Sequence, residues 1–440
     1  MDVKTVKIGL VGFGTVGSGV AKILQENRQE ITERTGVQLE LACVVDKDTT
    51  TPRVVQLPEG ILTDSIERLL NDKSIDIVIE LVGGTTFAKE LVLKMLAAGK
   101  HIVTANKALL AEQGADLYRA ALKAKRCIAF EASCCGGIPI VSALRTGLAA
   151  NNISALYGIF NGTCNYILTH MTHCGAAFED VLKAAQQKGF AEADPTLDIN
   201  GTDTAHKLAI LAGLAFGCRI EMKDIFIEGI EGIEIEDIRN AQEMGYVLKL
   251  LAIGEKDPAG LLSLRVHPSF VSEDTPLADV DGPFNAVSLF GNAVGNVMFY
   301  GRGAGMMATA SAVVADILEI VMGTSERLFE RMPMVTEKRK SANFKKIEDI
   351  LSRFYLRIMA KDQTGVFARY GQILGKHGIS ISGAMQHEGS GPDNTVPVVI
   401  TTHPTRQKNM VAALNELQRL DILRGKPVCI RIVEIPEDKE

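Results

Sequence analysis

The sequence predicts an α/β protein of three successive modules: a parallel sheet covered on both faces, an α+β segment, and a small ferredoxin-like unit. Three observations carry this. From Val6 to Glu131, continuous apolar runs alternate with helical stretches, as in a parallel sheet buried on both faces. After Gly136 the strands shorten and alternate apolar with polar residues. Past Leu351 the elements follow the order βαββαβ.

In the first module Val6–Val11 is an apolar strand and Val16 to about Arg34 a helix. Leu39–Val45 is a second strand ending at Asp46, and Ile75–Leu81 a third. A helix from Phe87 to Ala98 is stopped by Gly99, and His101–Thr104 and Cys127–Glu131 bracket an Ala/Leu-rich helix. In the second module, helices around Pro139–Ala149, Phe178–Lys188, Asp203–Phe216 and Ile238–Tyr246 mix with strands Ser154–Phe160, Leu248–Glu255 and Leu262–Pro268. Gly301-Arg302-Gly303-Ala304-Gly305 opens a small-residue helix, Met307 to about Met322, expected to return to the first module. The charged stretch Thr336–Lys346 reads as linker. Phe354–Ala360, the amphipathic Val366–His377, Ile379–Gln386, Val396–His403, Gln407–Leu420 and Val428–Ile435 make up the last module. The expected domains are therefore 1–135, completed by helix 305–325; 136–304; a linker over 326–350; and 351–435.

Composition narrows the function. A chain of 440 residues exceeds one ordinary core. Its 46% hydrophobic and 23% charged content is that of a soluble globular protein. A net charge of -6 without a basic block argues against nucleic acid as partner. No apolar run is long enough to span a bilayer, and the N-terminus carries no signal-like pattern. Eight cysteines without a CxxC pair point to neither a disulfide framework nor a zinc site, so a reduced, cytoplasmic protein is expected.

Gly12-Phe-Gly14-Thr-Val-Gly17 follows a predicted strand and opens a predicted helix, the setting of a Rossmann-type dinucleotide site. Gly12 permits the tight turn, Gly14 lets the backbone approach a pyrophosphate, and Gly17 lets helix and strand pack closely. The helix start then offers free N–H groups to phosphate. Asp46 ends the second strand, where a carboxylate accepts the ribose hydroxyls of NAD; Lys47 beside it suits the 2′-phosphate of NADP. Both cofactors remain open, with the Asp46 carboxylate leaning the reading toward NAD. Thr104-Ala105-Asn106-Lys107 lies at the carboxyl end of a strand, where ligands of open α/β sheets bind, so Lys107 is expected to face the site. Glu131-Ala-Ser-Cys134-Cys135-Gly136-Gly-Ile138-Pro139 closes another strand with a turn able to direct carbonyls inward.

The richest segment is Gly189–Lys207, where Glu192, Asp194, Asp198 and Asp203 crowd a Pro-Gly loop ahead of an almost wholly apolar helix. Lys207 enters that helix one turn after Asp203, so the two can meet on one face. Desolvation lowers a buried lysine's pKa and a neighbouring carboxylate raises it, so sequence leaves the direction open. Taken alone, the segment reads equally as a charged helix start or as part of an active site.

Together with NGTCNYIL at Asn161–Leu168, GRGAG, and the closing RFYLRIMAKDQTGVFARYGQILGKHGISI, these motifs resemble homoserine dehydrogenase in its bacterial form with a C-terminal ACT domain. The resemblance runs over nearly the whole chain. It implies NAD(P)H-linked interconversion of aspartate 4-semialdehyde and homoserine, toward threonine and methionine. Lys207 matches the proton donor, and Lys107 the lysine near the nicotinamide and reacting carbon. Glu192 and Asp198 match the carboxylates that hold the substrate. The cofactor set comprises Gly12, Phe13, Gly14, Thr15, Val16, Gly17, Asp46, Thr104, Lys107 and Gly303. Glu131, Cys134, Gly136 and Ile138 fall where the family binds a monovalent cation, usually Na+, largely through backbone oxygens. Cys134 and Cys135 stand where small aliphatic residues are commoner, which raises the question of oxidation of an exposed thiol. In the ACT domain Thr364 replaces the usual proline before Gly365, and threonine is the effector the resemblance implies. A homodimer or homotetramer is expected. Two other readings compete: a catalytically inactive sensor of dinucleotide and amino acid, and a dehydrogenase of another small aldehyde or amino acid. Asp194 and Asp203 receive no role beyond loop capping and charge pairing.

Overall fold

The computed structural model describes residues 4–332, 334–335, 342–386 and 395–436. Internal contacts divide the chain into two compact units that interleave along the sequence: 1–162, 203–225 and 283–342 in one, 163–202, 226–282 and 343–440 in the other.

The first unit holds the parallel sheet. Strands β1 (Lys4–Val11), β2 (Val37–Val45), β3 (Leu62–Thr63), β4 (Ile75–Glu80), β5 (His101–Thr104) and β6 (Ile128–Ala129) lie in the order β3-β2-β1-β4-β5-β6. Every pairing is parallel. This is the doubly wound order whose reversal beside β1 opens a crevice at the strands' carboxyl ends. The expected single helix from Val16 to Arg34 is two, α1 (Thr15–Glu26) and α2 (Arg28–Thr35), broken at Asn27 and ended by the left-handed Gly36. Helices α3 (Ile66–Asn71), α4 (Thr86–Ala97) and α5 (Lys107–Ala124) complete the winding. The small-residue helix Met306–Val321 packs on α1, so closely that a Cβ on Gly19 would sit 2.8 Å from the Met306 carbonyl oxygen.

The same unit contains a sheet that the sequence reading passes over in part. Ile153–Ile159 pairs antiparallel with Phe284–Gly291, which pairs with Gly295–Arg302. The expected helix over Pro139–Ala149 is one α turn, Ile140–Ser142, followed by a wide π turn to Gly147.

In the second unit six strands run in the order Tyr246–Lys256, Leu262–Ser272, Val428–Val433, Leu351–Lys361, Thr395–Thr402, Ile381–Gln386. The last four, with helices Val366–Lys376 and Gln407–Leu417, form the ferredoxin-like module around a core that includes Leu356, Tyr370, Leu374, Ile400 and Met410. Both Leu262–Ser272 and Tyr246–Lys256 exceed the expected strands, because their antiparallel pairing runs unbroken from Leu262 opposite Lys256 to Ser272 opposite Tyr246. Of the charged stretch 336–346, residues 336–341 lie outside the described residues, as do residues 387–394. Asn343 and Lys345 run beside Leu262 through backbone hydrogen bonds of 2.9 and 2.7 Å. Among the described residues no helix is long and apolar enough to cross a membrane.

Candidate active site

The glycines after β1 each have a separate physical reason. Gly12 has φ +98°, and a Cβ there would lie 2.7 Å from the Leu81 carbonyl oxygen. A Cβ on Gly17 would lie 2.2 Å from the Gly12 oxygen, so α1 could not approach the strand. Around Gly14 there is open space, which is what close approach of a pyrophosphate requires. Thr15 and Val16 form the first turn of α1, whose leading N–H groups have no helical partner. The dinucleotide fits this cradle. Phe13 is buried, and its N–H donates to Asp46 Oδ2 at 2.5 Å, while Asp46 Oδ1 accepts from the Asp48 N–H at 2.9 Å. Asp46 thus shapes the loop as well as ending β2. Arg53, which sequence reading does not single out, donates Nε to the Phe13 carbonyl at 2.8 Å and reaches Asp48 at 3.2 Å.

At the end of β5, Thr104 is buried; its hydroxyl donates to the buried Glu80 at 2.6 Å and accepts from the Asn106 N–H at 3.0 Å. Asn106 caps α5 by accepting from the Leu109 N–H at 3.1 Å. Lys107 is then the first residue of α5, and its Nζ lies 3.1 Å from Asp203 Oδ1.

The helix Thr202–Phe216 delivers the other partners. Lys207 Nζ donates to Asp203 Oδ2 at 2.7 Å, as the one-turn spacing requires, and to the Phe160 carbonyl at 2.6 Å. Asn161 Nδ2 donates to Asp203 Oδ2 at 2.8 Å. Asp203 and Lys207 are buried, whereas the Lys107 side chain is 37% exposed. Burial opposes the charge on Asp203, yet the two ammonium groups outweigh it and hold the carboxyl well below the usual carboxylate range. Burial also opposes the charge on Lys207, but Asp203 outweighs it, and the balance left open by sequence falls on the upward side. Asp203 is therefore a bridge between two lysines, a role that sequence alone did not assign.

The loop after β6 packs beside this cluster. Cys135 has φ +54° and Gly136 φ +37°, and a Cβ on Gly136 would lie 2.7 Å from the Gly303 carbonyl oxygen. The Glu131 carboxylate accepts the N–H groups of Val141 at 2.8 Å and Ser142 at 2.7 Å. In the same loop the backbone carbonyls of Glu131 and Ile138 accept from the N–H groups of Cys134 at 3.3 Å and Ile140 at 2.8 Å. Among the described residues no group of three or more His, Cys, Asp or Glu side chains could hold a metal. Cys134 and Cys135 are buried, not exposed, and burial pushes the Cys135 thiol up to about 11 and Cys134 further. The exposed-thiol question is answered by this burial: both are neutral core thiols. Among the described residues no cysteine forms a disulfide.

Glu192 and Asp198 belong to the second unit. Glu192 is exposed, and Asp198 is half-buried in the short turn Thr196–Ile199. Asp194 accepts from the N–H and hydroxyl of Thr196 at 3.1 and 2.5 Å, the loop-capping role expected of it. The turn is held from below: a Cβ on Gly229 would lie 2.1 Å from the Ile199 oxygen, and the Ile230 N–H donates to that oxygen at 2.8 Å. In the same unit, Asp362–Gly365 and Gln386 line a cavity of about 260 Å³ at the start of helix Val366–Lys376, with Gly365 at φ +87°.

Comparison with known proteins agrees with this geometry. Residues 12–131 match the family model for the homoserine dehydrogenase NAD-binding domain, 139–318 that for homoserine dehydrogenase, and 354–421 that for the ACT domain. The chain is 42% identical over 432 residues to homoserine dehydrogenase of Neisseria gonorrhoeae, covering 98% of this chain and 99% of that one. It is 43% identical over 431 residues to the Helicobacter pylori protein, covering 98% and 99%. The crystal structure of a homoserine dehydrogenase from Thiobacillus denitrificans superposes with a TM-score of 0.90 at 40% identity, covering 98% and 99%. A hyperthermophilic archaeal homoserine dehydrogenase in complex with NADPH superposes at 0.61 with 27% identity, over 72% of this chain and 98% of that one.

Proposed function

The chain belongs to the homoserine dehydrogenase family, and on that premise we propose how its residues carry out the NAD(P)-dependent interconversion of L-aspartate 4-semialdehyde and L-homoserine. The observation that carries the assignment is the bonding of the Lys207 ammonium. Of its three N–H groups, one goes to the Phe160 carbonyl and one to Asp203, leaving the third for a substrate oxygen. The nicotinamide, when bound, supplies the hydride that adds to the aldehyde carbon. Lys207 gives its proton to the oxygen as the C=O bond opens, and in the oxidising direction it takes that proton back. Electrostatic stabilisation of the developing charge acts in the same step. Asp203 links the buried Nζ to the half-exposed Lys107, a hydrogen-bonded route by which the proton is replaced from solvent. Glu192 and Asp198 bind the substrate through its ammonium group.

The cofactor lies along Gly12–Gly17 with Asp46, Thr104, Lys107 and Gly303. Arg53, folded over the Phe13 carbonyl, and the exposed Lys47 give the adenosine end positive charge, which favours NADP without excluding NAD. Glu131, Cys134, Gly136 and Ile138 are the residues that would hold Na+. Threonine binds in the Asp362–Gly365 cavity as feedback inhibitor, the enzyme works in the cytoplasm as a homodimer or homotetramer, and its product serves threonine and methionine synthesis.

Two measurements test this. Lys207→Ala lowers kcat for semialdehyde reduction by roughly 100- to 10,000-fold with the circular dichroism spectrum unchanged. Near-normal turnover in the folded variant sinks the assignment. A threonine titration of the full-length enzyme lowers its activity, and a flat response through millimolar threonine removes the effector reading.

A further inference from the structure

Asn285 sits in the strand Phe284–Gly291 with no exposed surface, followed by the buried Ala286 and Val287. A buried strand position gains nothing from an amide unless its polar atoms are partnered. Its Nδ2 donates to the Phe160 carbonyl at 2.9 Å, the same oxygen that accepts from Lys207 Nζ at 2.6 Å. Its Oδ1 has no hydrogen-bond partner among the described residues, and the same amide lies against the buried Cys135 thiol. Register explains the placement: Ala286 pairs with Ile159, which puts Asn285 opposite the Phe160 end of the neighbouring strand. Gly303 makes the room. A Cβ there would lie 2.0 Å from Asn285 Cγ and 2.2 Å from both Nδ2 and Oδ1.

We propose that Asn285 is a positioning residue for proton transfer: its N–H fixes the Phe160 carbonyl, and that carbonyl aims the remaining N–H of Lys207 at the substrate oxygen. Phe160 and Asn161 then act as a pair. The carbonyl of the first holds Nζ, and the amide of the second holds Asp203, its counter-ion. Gly303 has a steric role beside any contact with the cofactor, because only glycine leaves space for the amide. The groups facing Lys207 that can titrate or carry charge are Asp203 and His206 on its own helix, Lys107 on α5, and Cys134 and Cys135 on the loop after β6. An aspartate at position 285 would add an anion to that set.

The inference rests on Lys207 as proton donor, so the variants are measured beside Lys207→Ala. Asn285→Asp keeps the shape, loses the N–H and adds charge; kcat for reduction falls on the order of tenfold or more. The alkaline limb of its kcat profile moves to higher pH, because the added anion stabilises the ammonium. Asn285→Ala lowers kcat similarly while the KM for NADPH stays within about twofold. Should Asn285→Ala fold poorly, Asn285→Leu fills the same space with an apolar side chain of about the amide's shape and still lacks the N–H. It is expected to fold, to bind NADPH in a direct titration, and to remain slow. If Lys207→Ala is inactive while a folded Asn285 variant keeps wild-type kcat and alkaline limb, the positioning role is overturned and the donor assignment stands. If Lys207→Ala turns over normally, the donor assignment itself falls.

Discussion

Two buried carboxylates, Asp203 in one unit and Asp237 in the other, are each bound by a cation, yet they are built for opposite ends. Asp237 lies at the start of helix Ile235–Glu243 and is fully buried. Arg357 grips it with Nε at 2.7 Å and Nη2 at 3.0 Å; the Tyr355 hydroxyl donates at 3.0 Å, and the Glu234 N–H closes a capping box at 3.3 Å. Arg357 also reaches Glu234 at 2.8 Å, and Asn240 donates to the Tyr355 oxygen at 2.8 Å. A guanidinium cannot give up its proton near neutral pH, and these carboxylates push it further up. This network clamps the strand Leu351–Lys361 to a helix and has no proton to lend. At Asp203 the cation is a lysine with one N–H uncommitted among the described residues, and a second lysine leads outward. The difference lies in residue chemistry and in what is left unsatisfied, since both sites are buried ion pairs.

Substitutions that separate anchoring from proton transfer sharpen this contrast. The largest effect on stability is expected from Asp237→Ala, which strands the buried Arg357 charge and costs about 3–5 kcal/mol. Denaturant unfolding measures it. The alkaline limb of kcat should stay in place in the folded fraction; movement of that limb would erase the distinction between the sites. Asp203→Asn is expected to cost less stability and to act on chemistry. With the counter-ion's charge gone, desolvation dominates at Lys207 and its pKa falls, so the protonated donor is lost at lower pH. The alkaline limb of reduction moves down, and kcat at neutral pH drops roughly tenfold or more. A limb that stays put, or moves up, breaks the account of Asp203 as the group that keeps Lys207 charged.

Much of this was legible in the chain because it is local. GFGTVG carries the turn, the approach and the packing within six adjacent positions, so its function survives without knowledge of the fold. The spacing of Asp203 and Lys207 is one helical turn, and a helix of any surroundings would join them. The βαββαβ order likewise follows from elements read in sequence. Boundaries failed where local pattern is weak: the helix expected through Asn27 breaks there, and Gly295–Arg302, an edge strand rich in partly exposed positions, gave no clear alternation.

By itself, then, the sequence determined the α/β class, the dinucleotide loop, the C-terminal module and the candidacy of Lys207, since each is read from local patterns taken in chain order. Only the tertiary structure decided that Lys107 and Lys207 share one carboxylate, that Cys134 and Cys135 are buried and neutral, and that Asn285 and Lys207 share one carbonyl. Those relations join residues far apart in the chain, and they are set by strand register and by close glycine packing. The direction of the Lys207 pKa belongs with them, because it depends on the balance between burial and charge, and neither is fixed until the chain has folded.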